Sequence, residues 1–432
     1  MSSSSMLQQL IDKGLSVAAG LSVSTDTRNL PAGCVFFALK GENFNGNRYA
    51  AQALEKGAQL AVVDEPQFAD DPRIILVDNT LLALQTLARE WREHWGKTVI
   101  GITGTNGKTT TKELMAAVLS RKYNVLYTQG NLNNHIGVPL TLLQLRPEHE
   151  IAIVEMGASH RGDIRELVEI AEPSCGLVTN VGQAHLLNFG SFEAVMQTKA
   201  ELYDYLRSRQ GYIFRNIDNP YLQQMAGDLP YHSYALEQDA ELRGRVVDCT
   251  GFLRMEIMGR TLQTNILGAY NAENVLAALS VGMHFGVSLE EGIEAIAAYY
   301  PGNNRSMLLK TGRNTLVVDA YNANPTSMRA AIDSFASMAV PRAGQVLVLG
   351  NMNELGGQSL AFHRQILDLV ESYGFTEVYL VGTDFCALPS PYRTFDNVEE
   401  LIACLRTEPV TDKYILLKGS RGNRLESLIP VL

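Results

Sequence analysis

The chain has 432 residues, 46% hydrophobic and 19% charged, enough for several buried cores and with the balance of a globular rather than a disordered protein. Its net charge of −10 offers no basic footprint for nucleic acid, and no run approaches the ~18 unbroken apolar residues of a membrane span. Cys34, Cys175, Cys249, Cys386 and Cys404 lack C-x-x-C spacing, which argues against a structural zinc site and a disulfide framework, and MSSSSMLQQLIDKG does not read as a secretory leader, so a cytoplasmic location is expected; a monomer is expected as well.

In chain order, residues 1–97 contain three short β-like runs, CVFFALK, AQLAVVD and RIILVD, followed by LLALQTLAREWREHW with apolar residues at helical spacing. Residues 98–311 open with the strand TVIGIT, pass through a glycine-rich turn, and continue as KELMAAVLSRKY, where Leu114, Val118 and Leu119 mark one helical face. IAIVEMG, GLVTNVG and GYIFRN follow, separated by helical segments, which is the rhythm of a parallel sheet with crossover helices. Residues 312–432 repeat that rhythm in LVVDAYN, QVLVLGN, EVYLVGT and YILLKGS, predicting a second, Rossmann-like unit. The expected fold class is therefore α/β in three domains.

The turn at GITGTNGKTTT departs from the usual P-loop G-x-x-x-x-G-K-[ST], because Ile102 stands where the first glycine belongs. The strand–turn–helix context is nevertheless right for a phosphate cradle. Gly101, Gly104 and Gly107 are expected to let the backbone turn and aim N–H groups at an anion from Gly104 through Thr105, Asn106 and Thr110. Lys108 adds a point charge for the outer phosphates, and Thr109 supplies the hydroxyl that P-loops give to Mg²⁺. Glu155 ends a β-like run and would reach the same sheet edge, a hard oxygen donor suited to magnesium. His185, after the next strand, is a metal ligand, an anion contact or a structural residue.

GTNGKTT, VEMG, NVGQAHL, TKAEL around Lys199 and NAENVLAAL, in that order, resemble the Mur ligase family, ATP-dependent enzymes that extend the peptide of the bacterial cell-wall precursor. The displaced P-loop glycine is itself a mark of that family. DAYNANPTSM, QGNLNNHIGVPLTLL, LGNMNELG with His363, and LLKGSRGNRLE are similar to those members that join D-alanyl-D-alanine to UDP-N-acetylmuramoyl tripeptide. The resemblance implies an N-terminal UDP-substrate domain, a central ATP-binding domain and a C-terminal Rossmann-like domain that closes on it. It also implies an acyl-phosphate intermediate, with ATP and two Mg²⁺ ions as cofactors.

By the same resemblance, Lys108 would hold the ATP phosphates, Thr109 and Glu155 one Mg²⁺, and His185 a second Mg²⁺ together with a carbamylated Lys199. Asn271 and Asn274 would meet the adenine, Arg305 the transferred phosphate, and Asp319 the ribose. Ser24, Thr27, Arg28, Asn45 and Gly46 are expected at the UDP-sugar, although many relatives have D-G-H where this chain has Asn45, Gly46 and Asn47. Asn134 joins the expected substrate contacts, while Asn322 and Asn324 either face the incoming dipeptide or build the turn before Pro325. The alternatives are a folylpolyglutamate synthase-like ligase, against which the UDP-type region and DAYNANP speak, and a non-catalytic nucleotide-binding protein, against which Lys108, Glu155 and Lys199 speak. The third tripeptide residue, diaminopimelate or lysine, and the general base for the amine have no motif in the chain.

Overall fold

The structure is a computed structural model that describes residues 5–183, 186–302 and 305–432. The first region forms a four-stranded parallel sheet, in the order Val23–Ser24, Val35–Phe37, Leu60–Val63, Ile74–Leu76. Successive strand residues point to opposite faces. Val35, Phe37 and Val62 accordingly enter one core, with the Thr80–Trp95 helix, while Phe36, Ala61 and Val63 enter another, with the Ala50–Glu55 helix.

Asn79 caps the Thr80–Trp95 helix by accepting the Leu82 N–H, and Gly96 ends it at φ +69°, a left-handed conformation that costs a glycine little. One helical stripe, Leu84, Leu87, Ala88, Trp91 and Trp95, shares a single core with Val138, Leu142 and Ile164 of the next region. Polar bonds fix the same contact. The Trp91 indole donates to Leu145 O at 3.2 Å, that of Trp95 to Arg146 O at 3.1 Å, and Arg92 Nε and Nη2 donate to Ala171 O and Glu172 O at 3.1 and 2.9 Å. The first two regions are thus fused through this helix, although the glycine at its end reads as a break. Trp91→Ala is expected to cost about 3–5 kcal/mol, the range for emptying a buried aromatic site. Urea unfolding followed by the fluorescence of Trp95 and by circular dichroism should give one shared transition at lower denaturant. Two separated transitions, or a midpoint unmoved from wild type, would contradict the shared core.

The second sheet has nine strands, with Thr98–Thr103 third from one edge, between Cys175–Val178 and Ile151–Glu155, and these three are parallel. At its far edge Leu242–Asp248, Phe252–Ile257 and Arg260–Leu267 form an antiparallel meander that the parallel rhythm does not anticipate. Their alternating buried and exposed residues are what a sheet with one wet face requires.

The third sheet runs Met307–Lys310, Thr315–Asp319, Tyr414–Lys418, Gln345–Gly350, Glu377–Val381, Arg393–Phe395, parallel except for its first strand. That first strand pairs antiparallel with Thr315–Asp319, so this sheet begins before residue 312, where the sequence rhythm starts. Two apolar clusters sandwich the sheet. The P-loop, Glu155, Thr179, Asp319 and Lys418 all lie at or just past carboxyl ends of parallel strands, where open α/β sheets place their ligands.

Candidate active site

Ile102 explains the unusual P-loop spacing. It is a fully buried strand residue paired with Leu177 and Glu155, packed in the core beneath the helix that follows the loop. Gly101 also lies in the strand rather than in the turn, which corrects its expected part in the cradle: its carbonyl oxygen lies 2.4 Å from where a Cβ on Gly176 would stand. The turn proper is Gly104 to Gly107. Gly104 has φ +142° and a Cβ there would fall 2.0 Å from Thr179 Oγ1; Gly107 has φ +80° and its Cβ would fall 2.5 Å from Asn274 Oδ1. Both positions therefore exclude a side chain.

A neighbouring loop clamps the turn. Thr105 N–H donates to Asn180 O at 3.0 Å, Asn106 N–H to Asn180 Oδ1 at 2.9 Å, Gly182 N–H to Thr105 Oγ1 at 2.9 Å, and Thr179 Oγ1 to Asn106 O at 2.6 Å. Lys108 Nζ curls back to Gly104 O at 2.7 Å and Thr105 O at 3.1 Å. Burial pulls this ammonium below its ordinary pKa, with the Glu155 carboxylate opposing.

Thr109 Oγ1 donates to Glu155 Oε2 at 3.0 Å, bringing together the two oxygen donors expected for magnesium. Glu155 is only 1% exposed and accepts a second bond from Asn133 Nδ2 at 2.8 Å. Lys112, equally buried, holds its ammonium 3.7 Å from Glu155 Oε2 and 5.7 Å from the Tyr127 ring centre. These hard oxygens fit a magnesium ion that would complete its shell with water and phosphate. Among the described residues no group of three or more His, Cys, Asp or Glu is gathered for a metal.

Lys199, on the Phe192–Ser208 helix, is 2% exposed, with Nζ 6.0 Å from the Phe189 ring centre. Burial first, and then the Lys108 charge, pull its pKa down to about 7. His185, the expected partner in that role, lies outside the described residues.

The P-loop and Glu155 border a cavity of about 790 Å³ between the second and third regions, whereas Lys112 and Lys199 are not among its lining residues. Thr105 to Thr110, Asn134, Glu155, Asn271, Asn274, Arg305, Asp319 and Asn322 all line it. Asn274 Oδ1 accepts from Thr111 Oγ1 at 3.0 Å, its Nδ2 donates to Asn271 Oδ1 at 2.8 Å, and Asn271 Nδ2 donates to Leu267 O at 2.8 Å. This chain of amides ties the nucleotide loop's helix to the cavity wall. Asn134 Oδ1 accepts the N–H groups of Ile136 and Gly137 at 3.1 and 2.9 Å.

The third region supplies the opposite wall. Asp319 accepts from Ser306 N–H at 3.2 Å and pairs with the buried Lys418 at 2.8 Å; Lys418 also donates to Asn322 O at 2.6 Å. Asn324, unlike Asn322, is not among the cavity-lining residues, and its side chain is engaged within the fold. It caps the Pro325–Ala336 helix through Ser327, and its Nδ2 reaches the P-loop at Asn106 Oδ1, 2.7 Å away.

The N-terminal candidates do not line this cavity. Ser24 and Arg28 are tied locally to Asp26, Arg28 through bonds of 2.7–3.0 Å, and the Thr27 carbonyl accepts from Lys56 Nζ at 2.9 Å. Asn45 bonds Glu65, and Asn47, fully buried, exchanges bonds with Asp64 at 2.9 Å. Gly46 approaches the Leu39 carbonyl so closely that a Cβ would lie 2.5 Å from it. An asparagine at position 47 is thus used to lock its loop onto Asp64.

A nucleotide cradle on a parallel sheet, roofed by a second doubly wound domain that adds a cation and a carboxylate, defines a P-loop enzyme of the kind that joins substrates across a domain cleft. The family comparison narrows this. The Mur ligase family catalytic domain matches residues 22–92, the Mur ligase middle domain residues 102–282, and the Mur ligase glutamate ligase domain residues 304–421. The chain is 35% identical over 425 residues to the UDP-N-acetylmuramoyl-tripeptide--D-alanyl-D-alanine ligase of Escherichia coli, covering 95% of this chain and 93% of that protein. It superposes on MurF from Acinetobacter baumannii with a TM-score of 0.85 and 29% identity, over 95% of this chain and 92% of that one. For MurF ligase from Thermotoga maritima in complex with ADP the TM-score is 0.84 at 26% identity, over 95% and 97% of the two chains. The chain belongs to the Mur ligase family.

Proposed function

We propose that this ligase joins D-alanyl-D-alanine to UDP-N-acetylmuramoyl tripeptide at the expense of ATP, in peptidoglycan precursor synthesis. The observation that carries the reading is the single cavity in which Lys108, the Thr109–Glu155 pair, Arg305 and Asp319 converge from two domains. Ligation of this kind needs no side-chain nucleophile. An oxygen of the tripeptide's terminal carboxylate attacks the γ-phosphorus of ATP, the bond to the β-phosphate oxygen breaks, and ADP leaves. The dipeptide amine then attacks the acyl carbon, loses a proton and expels phosphate.

The first step brings two anions together, so its catalysis is positioning and charge compensation. Lys108 would meet the outer phosphates and Arg305 the transferred one; both line the same cavity, which supports the reading. Thr109 and Glu155 would hold one magnesium ion, which when bound offsets phosphate charge. A carbamate on Lys199 would turn a buried cation into an anionic oxygen donor toward a second ion, together with His185. Asn271 and Asn274 would meet the adenine and Asp319 the ribose. Asn134, Asn322 and Asn324 would lie toward the peptide substrates, and Ser24, Thr27, Arg28, Asn45 and Gly46 toward the UDP-sugar. Three domains would follow the sequence divisions at about residues 97 and 311. Among the described residues no helix is long and apolar enough to cross a membrane, and a cytoplasmic monomer fits the proposed substrates.

The test is phosphate release from ATP with UDP-MurNAc-tripeptide, with and without D-Ala-D-Ala. Release should require all three. Release independent of the dipeptide, or none with the full set, would refute the assignment.

A further inference from the structure

We propose that Tyr321 is a positioning residue for Arg305: its ring is the surface on which the guanidinium rests, leaving the N–H edge free for an anionic oxygen. The inference rests on the role given above to Arg305 and extends it to a residue of the DAYNANPTSM segment that was given no role of its own.

The guanidinium carbon lies 3.9 Å from the Tyr321 ring centre, a close face contact. Among the described residues no carboxylate or carbonyl accepts a hydrogen bond from this guanidinium, and its Nε is buried without a partner. That is unusual for an arginine inside a protein, where a carboxylate fork is the common way to satisfy the planar donors. A carboxylate would fix the group and also neutralise it. An aromatic face fixes it from the side and keeps both charge and donors available.

The backbone around the pair is held from the same strand end. Asp319, two residues before Tyr321, accepts the N–H of Ser306, the residue after Arg305, at 3.2 Å. Ser306 has φ +47°, a conformation costly for a non-glycine residue, and its hydroxyl bonds Tyr270 OH at 2.8 Å. Arg421 approaches the same Tyr321 ring at 5.4 Å, so the ring is flanked by two cations. Both Tyr321 and Arg305 line the cavity. The segment carrying Arg305 is thus pinned at its main chain by Asp319 and at its side chain by Tyr321.

The experiment compares Tyr321→Phe and Tyr321→Leu in the wild-type and Arg305→Ala backgrounds, measuring kcat, KM for ATP and the melting temperature. Tyr321→Leu should lower kcat about tenfold or more with KM for ATP within about twofold, because misorienting a transition-state group costs rate rather than ground-state binding. Tyr321→Phe keeps the ring and should stay within about threefold of wild type. In the Arg305→Ala background Tyr321→Leu should add less than about twofold, since the two residues act as one unit. Equal losses in both backgrounds, a Phe variant as impaired as the Leu variant, or an effect confined to KM for ATP would each overturn the proposal. If Tyr321→Leu melts more than about 5 °C below wild type, Tyr321→Met, another flexible apolar replacement, carries the same comparison. A wild-type rate for Arg305→Ala alone would remove the role of Arg305 itself, and that outcome is distinct from the failures just named.

Discussion

Lys108→Ala is expected to lower kcat/KM for ATP by about 10³-fold or more while leaving the fold intact, a loss of the size found when one preorganised charge is removed from a phosphoryl-transfer site. In the structure the ammonium donates to the carbonyls of Gly104 and Thr105 of its own loop. Neither bond is needed to shape that loop. Its turn is set by Gly104 and Gly107 and is clamped by Thr179, Asn180 and Gly182. Burial also works against the charged form of Lys108, so removing it relieves a desolvation cost rather than breaking a support. The melting temperature without ligand should therefore hold or rise, and the increase that ATP gives the wild type should shrink. Lys108→Arg should not restore activity, because a planar fork cannot replace a point charge within a loop this tight. Thermal melts with and without ATP, alongside ADP release, measure both parts. A Lys108→Ala enzyme within tenfold of wild type, or one that unfolds, would contradict this account.

That cradle was readable in the chain because its parts are adjacent: strand, Gly104, Gly107, Lys108 and Thr109 follow one another, and local spacing carries the geometry. The parts that hold the cradle are distant. Asn180 meets Asn106 across 74 residues, Asn133 meets Glu155 across 22, and Asn324 meets Asn106 across 218. Periodicity says that GLVTNVG is a strand with a polar end, but not which loop that end will clamp. The same limit hid Lys112, which reads as an ordinary residue at the start of a helix until the fold brings Glu155 beside it. Glu155 itself was accessible because the end of a buried strand fixes which sheet edge a residue reaches. Family resemblance brought in Arg305, Asp319 and Lys199, which no local pattern singles out. The Thr80–Trp95 helix shows the opposite case: its caps are plain in sequence, yet its apolar stripe does not reveal that it serves two domains.

Lys199 carries the second large effect: Lys199→Ala should lower kcat about 10²-fold or more, and the wild-type rate should depend on dissolved CO₂. A lysine 2% exposed, with Lys108 as a like-charged neighbour, is an unfavourable place for an ammonium, and its pKa is drawn down to about 7. At pH 8 roughly nine-tenths of such a group is neutral amine, whereas a lysine at its ordinary value is almost wholly protonated. Only the neutral amine adds to CO₂: the nitrogen lone pair forms the N–C bond, one C=O pair moves to oxygen, and the nitrogen releases a proton. The product is an anion, which turns repulsion from Lys108 into attraction and removes the buried positive charge. As pH falls through about 7 the amine would protonate and a carbamate on it would be lost, so activity is expected to drop on the acid side and to recover on raising the pH with bicarbonate present. Short carboxylates such as acetate should partly restore Lys199→Ala, since they can place two oxygens in the space the side chain leaves. Isotope-labelled bicarbonate should give a carbamate resonance in the wild-type protein and none in Lys199→Ala. No such resonance, together with a rate indifferent to CO₂ between pH 6 and 8, would leave Lys199 a buried amine whose loss of charge serves packing alone.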